Sequence, residues 1–342
     1  MYGGDLRVLE IYGEASDLGR AHGAECAALI AKYLEDRIDL CTDERWGAGG
    51  LSRGQVVEAA AETLEHHERF SESLYAELTA LADAAGITPA EAVVVGGFTD
   101  LLDVLRARVA TTVTEDGCTA VIDPRAGVVA QTWDMHASAG EFVVLLKLDP
   151  ITGPCVVVQT TAGCLGQIGI NEAGIAIGIN NLTTVGKPGV TWPFVVRQVL
   201  AQTDFDAAVQ VVLEADLAGG HNFLLMGPDG TGVNIEATAA HRVVTQVSGE
   251  PFVHTNHCLY DATASEEVER LLMDQESSDA RLEVGSELAG DLEAFFANPT
   301  ISRRGEGHDV ATCGAVIMEP RERRLRAVWG LPGEHPWETF QL

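Results

Sequence analysis

Residues 114–122, Thr-Glu-Asp-Gly-Cys-Thr-Ala-Val-Ile, form the stretch of this sequence with the clearest chemical potential. Cys118 follows a glycine and directly precedes an apolar, β-branched run, so we expect it to begin a strand. A thiol at the start of a rigid strand can attack the carbonyl carbon of the preceding residue. Gly117 suits that attack because a residue without a Cβ tolerates a sharply turned backbone. The Gly117–Cys118 bond is therefore a candidate for self-cleavage.

Self-cleavage at this bond would give Cys118 a second functional group. An N→S acyl shift followed by hydrolysis frees its α-amine, and an α-amine ordinarily titrates near neutral pH. That amine can act as general base for the thiol of the same residue. The sequence thus predicts an enzyme with an N-terminal cysteine nucleophile. The alternative interpretation is a buried structural cysteine, because a free cysteine often behaves as a small hydrophobic residue.

The elements that must position this cysteine divide the chain at Cys118. Before it, cap residues and apolar periodicity predict helices over about 16–39, 53–70, 71–85 and 88–105. After it, short β-branched segments bounded by Gly, Pro and Asp predict strands at 128–132, 142–148, 155–160, 168–170, 175–179, 222–226, 232–236, 241–247, 252–254, 311–318 and 325–329. Further helices are predicted over 193–201, 204–215 and 265–296. This order is typical of an α+β fold in which two sheets pack between helical layers.

Composition excludes several classes of function. The 342 residues have a net charge of −29, which argues against nucleic-acid binding because phosphates require a basic surface. No apolar run approaches the ~20 residues needed to span a bilayer, and the N-terminus does not resemble a signal peptide. The seven cysteines are scattered without a C-x-x-C pair. We therefore expect a cytoplasmic protein with reduced thiols, without a membrane partner.

Six strings of residues together resemble the isopenicillin N acyltransferase family of self-cleaving N-terminal-nucleophile hydrolases. The strings at 116–119 (Asp-Gly-Cys-Thr) and 253–259 (Val-His-Thr-Asn-His-Cys-Leu) are the most specific. The others are at 19–23, 131–134, 169–176 and 301–304. The resemblance extends from about residue 10 to 335, nearly the whole chain.

This resemblance implies the four-layer αββα sandwich of the N-terminal-nucleophile hydrolases. It also implies cleavage between Gly117 and Cys118 and a mature heterodimer of two associated fragments. The first fragment, 1–117, is expected to be mainly helical, and 118–342 is expected to form the catalytic core, both within one folded unit. A small amide or acyl-thioester substrate is implied, and neither a cofactor nor a metal is expected.

The resemblance also assigns roles to individual residues. Cys118 corresponds to the nucleophile, and Asp134 to the aspartate that binds the freed amine. Asn256 corresponds to an asparagine that donates to the oxyanion, and Arg303, less securely aligned, to an arginine beside the nucleophile. Asp116, Gly117, Cys118 and Thr119 form the expected processing segment, in which Asp116 positions the scissile bond. These assignments are chemically reasonable, since a side-chain amide can stabilise an oxyanion and an arginine favours a thiolate.

The sequence departs from the family pattern close to the expected acyl pocket. Thr132 stands where relatives often have Asn, and Ala120 replaces a hydroxyl-bearing residue. Met135 and His136 replace an aromatic residue after the aspartate. The identity of the substrate therefore cannot be transferred from the family.

Several alternatives stay open from the sequence alone. The leading hypothesis is an amidohydrolase that passes the acyl group from Cys118 to water. An acyltransferase would pass it to an amine instead, and an uncleaved scaffold would bind a small molecule without turnover. For single residues, Asp134 and Asn256 are also typical turn residues, and Arg303 with Arg304 can be a solvated pair. His254 and His257 beside Cys258 have too few ligand partners for zinc.

Overall fold

The computed structural model describes residues 3–108, 117–305 and 310–342. Asp116, predicted to assist processing, lies outside these residues. The strands are β1 (Val8–Gly13), β2 (Ala120–Asp123), β3 (Val128–His136), β4 (Val143–Pro150), β5 (Val156–Thr161), β6 (Ile168–Asn171), β7 (Ala176–Leu182), β8 (Gly220–Met226), β9 (Gly232–Ala237), β10 (Arg242–Val247), β11 (Phe252–His254), β12 (Val310–Glu319), β13 (Arg324–Trp329) and β14 (Glu338–Gln341).

The helices lie between β1 and β12 along the chain. They are α1 (Ala15–Thr42), α2 (Arg53–Ala61), α3 (Leu64–Phe70), α4 (Glu72–Ala85), α5 (Pro89–Gly96), α6 (Phe98–Arg106), α7 (Trp192–Leu200), α8 (Phe205–Glu214), α9 (Asp261–Ala264), α10 (Leu272–Leu288) and α11 (Leu292–Ala297). A 3₁₀ helix, Ala137–Phe142, joins β3 to β4, and a second, Pro320–Glu322, joins β12 to β13.

The strands form two sheets. The eight-stranded sheet has the order β1-β4-β5-β6-β7-β8-β9-β10, and the six-stranded sheet has the order β11-β2-β3-β12-β13-β14. The sheets face each other closely: a Cβ on Gly178 of β7 would lie 2.6 Å from Gln131 Oε1 on β3. Only glycine allows this approach at position 178.

Helices cover the outer face of each sheet. On the eight-stranded sheet, α1 lies near β1 and β4, α7 against β6 and β7, and α8 against β8 and β9. On the six-stranded sheet, α11 contributes Phe295 and Phe296 to a buried cluster with Val121, Ala130 and Ile317, and Leu282 and Leu288 of α10 pack against it. The layers are thus helix, sheet, sheet and helix. The α+β class and the four-layer αββα sandwich are confirmed.

The segment before Cys118 is part of this sandwich. Strand β1 pairs in parallel with β4, with Val8 opposite Leu145 and Ile11 opposite Leu148. Helix α1 packs along α4, and a Cβ on Gly19 or Gly23 would lie within 2.3 Å of α4 carbonyl oxygens. The predicted helices of this segment are present, but β1 was not predicted. Its alternating burial, with Leu9 and Ile11 turned inward, is the period of a half-buried strand.

Three further boundaries differ from the sequence prediction. The helix predicted over 53–70 is two helices, divided at Glu62 and Thr63. The helix predicted over 88–105 is divided at Gly97, where a Cβ would lie 2.7 Å from Thr191 Cγ2. Helix α10 begins at Leu272 rather than near Ser265, because residues 266–268 form backbone hydrogen bonds with the chain after β7. Tertiary contacts decide each boundary.

Among residues 3–108, 117–305 and 310–342, no single helix is long and apolar enough to cross a membrane. The bent pair Glu72–Ala85 and Pro89–Gly96, at 101°, meets the length and composition criteria when its two helices are taken together.

Candidate active site

Cys118 lies where three strands of the six-stranded sheet meet. Cys118 does not begin a strand as predicted but lies two residues before β2, which runs between β11 and β3, with Ala120 opposite both His254 and Gln131. Asp134 is near the end of β3, and Asn256 is two residues beyond the end of β11. The strand order therefore brings together three side chains that are far apart in the sequence. Cys118 is buried, with 4% of its surface exposed.

Polar side chains hold the backbone of Cys118 on both sides. Its N–H donates to Asn256 Oδ1 at 2.8 Å. Its carbonyl oxygen accepts from an Arg281 terminal nitrogen at 2.7 Å and from Asn180 Nδ2 at 3.1 Å. The position of the nucleophile candidate is thus fixed by hydrogen bonds from β7, α10 and the loop after β11.

The Asn256 side chain is itself held in one orientation. Its Oδ1 accepts from Cys118 N and from an Arg281 nitrogen at 3.0 Å, while its Nδ2 donates to the Asn181 carbonyl at 3.0 Å. The reversed amide would turn an NH₂ group toward two donors, so hydrogen bonding determines this orientation. One of the two Nδ2 hydrogens is bonded to Asn181, and the oxyanion role of Asn256 stays a prediction for the other.

Asp134 is completely buried beside the cysteine. Its backbone carbonyl lies 3.9 Å from Cys118 Sγ, and its Oδ1 accepts from Thr312 Oγ1 at 2.7 Å. A bulge in β12 between Thr312 and Gly314 brings that hydroxyl opposite Asp134. Its Oδ2 has no hydrogen-bond partner among the described residues. Burial raises the pKa of the Asp134 carboxyl, and the charges of Arg303 and Arg281 oppose that rise.

Two guanidinium groups approach the residue before the nucleophile. A Cβ added to Gly117 would lie 2.8 Å from an Arg303 nitrogen and 3.1 Å from an Arg281 nitrogen. Any other side chain would displace these groups, so the close approach requires glycine. Thr119, the last predicted processing residue, donates its N–H to Thr132 Oγ1 at 3.2 Å. The described residues Gly117, Cys118, Thr119, Asp134, Asn256 and Arg303 thus lie in one region.

Arg281, Asn180 and Thr312 were not predicted as members of this region. Arg281 lies on α10 among charged residues typical of a solvated helix face, yet it is 2% exposed. Asn180 lies on an apolar strand, where a buried amide indicates a required hydrogen bond. One indication was present in the sequence: the polar pair Asn180-Asn181 lies within a strand that is otherwise apolar.

The histidines of the 253–259 string have other partners. His254 Nε2 lies 2.8 Å from Glu236 Oε1, and His257 Nδ1 lies 2.9 Å from Ser278 Oγ. Throughout the described part of the chain, no group of three or more His, Cys, Asp or Glu side chains is arranged to hold a metal ion.

A narrow cavity adjoins Cys118. Its free volume is about 30 Å³, the space of about one water molecule. Four aromatic side chains line it: Tyr33, Phe98, Trp133 and Trp192. Its polar lining comes from Thr99, Gln167, Asn181 and His221. The cavity is therefore mainly apolar with a few placed polar groups, as small-molecule sites usually are.

A family model described as acyl-coenzyme A:6-aminopenicillanic acid acyl-transferase matches residues 123–294. The matched segment is 172 of the 342 residues, half of the chain. The chain belongs to this family. The resemblance inferred from the six sequence strings is therefore confirmed.

Individual proteins similar to this member of the acyl-transferase family include one curated relative. The 40 kDa form of acyl-coenzyme A:6-aminopenicillanic-acid-acyltransferase from Emericella nidulans is 26% identical over 291 residues, which cover 83% of this chain and 78% of the relative. A mutant conjugated bile acid hydrolase from Clostridium perfringens has a TM-score of 0.46 and 9% identity, covering 67% of this chain and 92% of that one. Penicillin V acylase from Agrobacterium tumefaciens has a TM-score of 0.39 and 11% identity, covering 66% and 86%.

Proposed function

We propose that this protein is a self-processing amidohydrolase in which Cys118 forms an acyl-enzyme with a small amide or thioester. The observation that supports this most is the environment of the Gly117–Cys118 bond. Two guanidinium groups lie close to the Cα of Gly117, and the Cys118 nitrogen donates to Asn256 Oδ1 at 2.8 Å. Such an environment suits a reaction in which a carbonyl oxygen gains negative charge while the adjacent nitrogen becomes an amine.

The proposed processing has two steps. The thiol of Cys118 attacks the Gly117 carbonyl carbon, a C–S bond forms, the C–N bond breaks, and the thiol proton passes to the departing nitrogen. Water then hydrolyses the thioester, which returns the thiol of Cys118 and leaves a carboxylate on Gly117. Arg281 and Arg303 would stabilise the negative charge that develops at this carbonyl. The products are fragments 1–117 and 118–342.

The proposed turnover repeats this chemistry on a substrate. The free amine of Cys118 takes the thiol proton while Sγ attacks the substrate carbonyl, and the leaving group is expelled with that proton. Asn256 Oδ1 would orient the amine, and Asp134 would compensate the positive charge that the amine gains. Asn256 Nδ2 has two hydrogens, and the one that is not bonded to the Asn181 carbonyl could donate to the oxyanion. Water then takes the acyl group.

A second candidate is acyl transfer, in which an amine rather than water takes the acyl group from Cys118. The acyl-transferase description of the family favours it. Both candidates share every step up to the acyl-enzyme, so they differ only in the acceptor.

Intact-mass measurement tests the processing. We expect the purified wild-type protein to separate under denaturing conditions into 1–117 and 118–342, and Cys118→Ala to stay whole. Cys155→Ala is the matched control, because Cys155 is a partly exposed thiol outside the site. A permanently whole wild-type chain, as the scaffold alternative predicts, would contradict self-processing.

An acyl thioester tests the turnover and separates the two acceptors. We expect the Cys118 fragment to gain the acyl mass and then to release free acid. Amide formation on adding a candidate amine would favour acyl transfer. Turnover that persists in Cys118→Ala would rule out the proposed nucleophile.

A further inference from the structure

A buried aspartate–histidine pair adjoins the cavity that Cys118 lines. His221 is on β8, directly opposite Asn181 of β7, and both side chains line the cavity. Its Nδ1 lies 3.3 Å from Asp100 Oδ1, and each side chain is 1% exposed. Neither residue belongs to the proposed catalytic steps, and neither lies in the sequence strings of the family. The pair therefore requires a separate explanation.

Asp100 has little to stabilise a negative charge. Its Oδ2 accepts the backbone N–H of Trp192 at 2.6 Å, and its Oδ1 faces His221. A second carboxyl is adjacent, since a Cβ on Gly219 would lie 2.5 Å from Asp100 Oδ1 and 2.8 Å from Asp103 Oδ2. Burial raises the pKa of Asp100 to about 8. An unpaired buried anion is costly, so Asp100 and His221 together retain a proton.

The position of that proton does not change what the pair presents to the cavity. If the proton is on Asp100 Oδ1, that oxygen faces an unprotonated Nδ1 across 3.3 Å, and the neutral imidazole then has its hydrogen on Nε2. If it is on Nδ1, the imidazolium again has a hydrogen on Nε2. In both forms the pair has no net charge and an N–H group on Nε2. That nitrogen lies 3.5 Å from Thr99 Oγ1, a long contact that leaves the N–H available.

Thr99 adds a second donor next to His221. Its Oγ1 accepts the Trp192 indole N–H at 3.0 Å, and an indole nitrogen can only donate. The hydroxyl hydrogen of Thr99 is therefore not used in that bond. Thr99, Trp192 and His221 all line the cavity. The donors His221 Nε2–H and Thr99 Oγ1–H thus form an uncharged donor corner within a mainly apolar cavity.

We propose that this donor corner, made of Thr99 and His221 with Asp100 behind it, binds an uncharged oxygen acceptor on the acyl group of the substrate. The preferred acyl groups are short chains with a carbonyl, ether or hydroxyl oxygen, and because the free volume is only about 30 Å³, the lining side chains must move apart to admit them. An ammonium group finds no acceptor at these two donors, and a carboxylate finds no counter-charge. The inference rests on the proposed function, since it concerns the acyl group that Cys118 accepts.

Two isosteric thioesters test this proposal. The levulinoyl and isocaproyl thiophenyl esters differ only in whether a ketone oxygen or a methyl group stands at the same carbon. The measurement is kcat/KM from thiophenol release, normalised to the reaction of each ester with free cysteine. We expect the wild-type enzyme to prefer the levulinoyl ester by about tenfold, the effect of one good hydrogen bond.

Variants test which side chains cause the preference for the levulinoyl ester. His221→Phe keeps a ring but removes the donor, so the preference should fall to about onefold. Thr99→Val, which is nearly isosteric, should reduce it in part and serves if His221→Phe does not fold. His241→Phe is the matched control, because His241 is a half-exposed histidine paired with Glu266 away from the cavity, and it should keep the wild-type preference.

The possible failures are distinguishable. Thiophenol release that depends on Cys118 but shows no levulinoyl preference in the wild type overturns the donor corner and leaves the proposed function intact. A preference that persists in both His221→Phe and Thr99→Val also overturns it. Absence of Cys118-dependent release with either ester contradicts the proposed function, and the inference falls with it.

Discussion

Two buried aspartates near the same cavity have opposite surroundings. Asp134, beside Cys118, is faced by the positive charges of Arg303 and Arg281, which oppose the effect of burial on its pKa. For Asp100, beside His221, a single backbone N–H from Trp192 opposes burial, and its pKa rises to about 8. The first carboxyl is therefore surrounded by charge, whereas the second belongs to an uncharged pair.

This difference matches the work proposed for each region. A reacting carbonyl gains negative charge, so fixed cations near Cys118 lower the energy of the transition state. Recognition of an uncharged acyl group needs donors without net charge, because an unpaired charge would have to be desolvated. The comparison teaches that burial alone does not define the function of a carboxyl group. The charged groups near the carboxyl also determine its function.

The largest effect is expected from Arg281→Met. This change removes the guanidinium from Cys118 O and Asn256 Oδ1 and should reduce the rate of Cys118 acylation about 100-fold. Thiophenol release measures it. Arg304→Met is the matched control, because Arg304 is 56% exposed and pairs with Glu334. Equal rates of Cys118 acylation in Arg281→Met and Arg304→Met would contradict the role assigned to positive charge beside Cys118.

A smaller effect, about tenfold near neutral pH, is expected from Asp134→Asn, which removes the anion between the two arginines. The pH profile sharpens the test. Because burial raises the pKa of Asp134, the wild-type rate should fall on acidification at a pH above the usual range of aspartate. Asp134→Asn should lose this acid limb. If the rate falls identically on acidification in both proteins, a group other than Asp134 causes the fall.

The smallest effect concerns stability. The unfolded chain releases the Asp100 proton near the ordinary pKa of aspartate, whereas the folded chain retains it to about pH 8. The folded state thus binds the extra proton, and stability falls as the pH rises toward 8. His221, whose pKa burial lowers to about 3, is neutral in both states above pH 6.5.

Urea unfolding between pH 6.5 and 8 isolates this contribution. The wild type should lose about 1 kcal/mol more than Asp100→Asn over this interval. Parallel stability curves for the two proteins would mean that Asp100 is ionised in the folded state, and the contrast with Asp134 would disappear.

The sequence predicted the parts of this molecule that depend on local pattern. The strands around Cys118 were found from β-branched runs, and helix α5 from its capping box, in which Thr88 Oγ1 accepts from Glu91 N. The strings at 116–119 and 253–259 identified the family. Strand β1 was within reach, since Leu9 and Ile11 alternate with polar residues, but one short alternating run before a long helix is ambiguous.

The remaining features depend on contacts between distant segments. Arg281 reads as part of a solvated helix, and only the packing of α10 beside β11 brings it to Cys118. The pairing of Asp100 with His221 joins α6 to β8 across 121 positions, with no motif at either end. Neither hydrophobic period nor spacing encodes such a meeting.

The parallel pairing of β1 with β4 has a consequence for the proposed self-cleavage. After cleavage between Gly117 and Cys118, fragment 1–117 would stay attached to the eight-stranded sheet through β1, Val8–Gly13. That piece contributes Thr99 and Asp100, while the downstream piece contributes Cys118, Asp134 and Asn256. His221, the other proposed donor, also lies downstream, so the acyl-binding corner is assembled across both polypeptides. A hybrid of halves from two homologues should therefore keep the nucleophile of one parent and show an acyl preference that neither parent has alone.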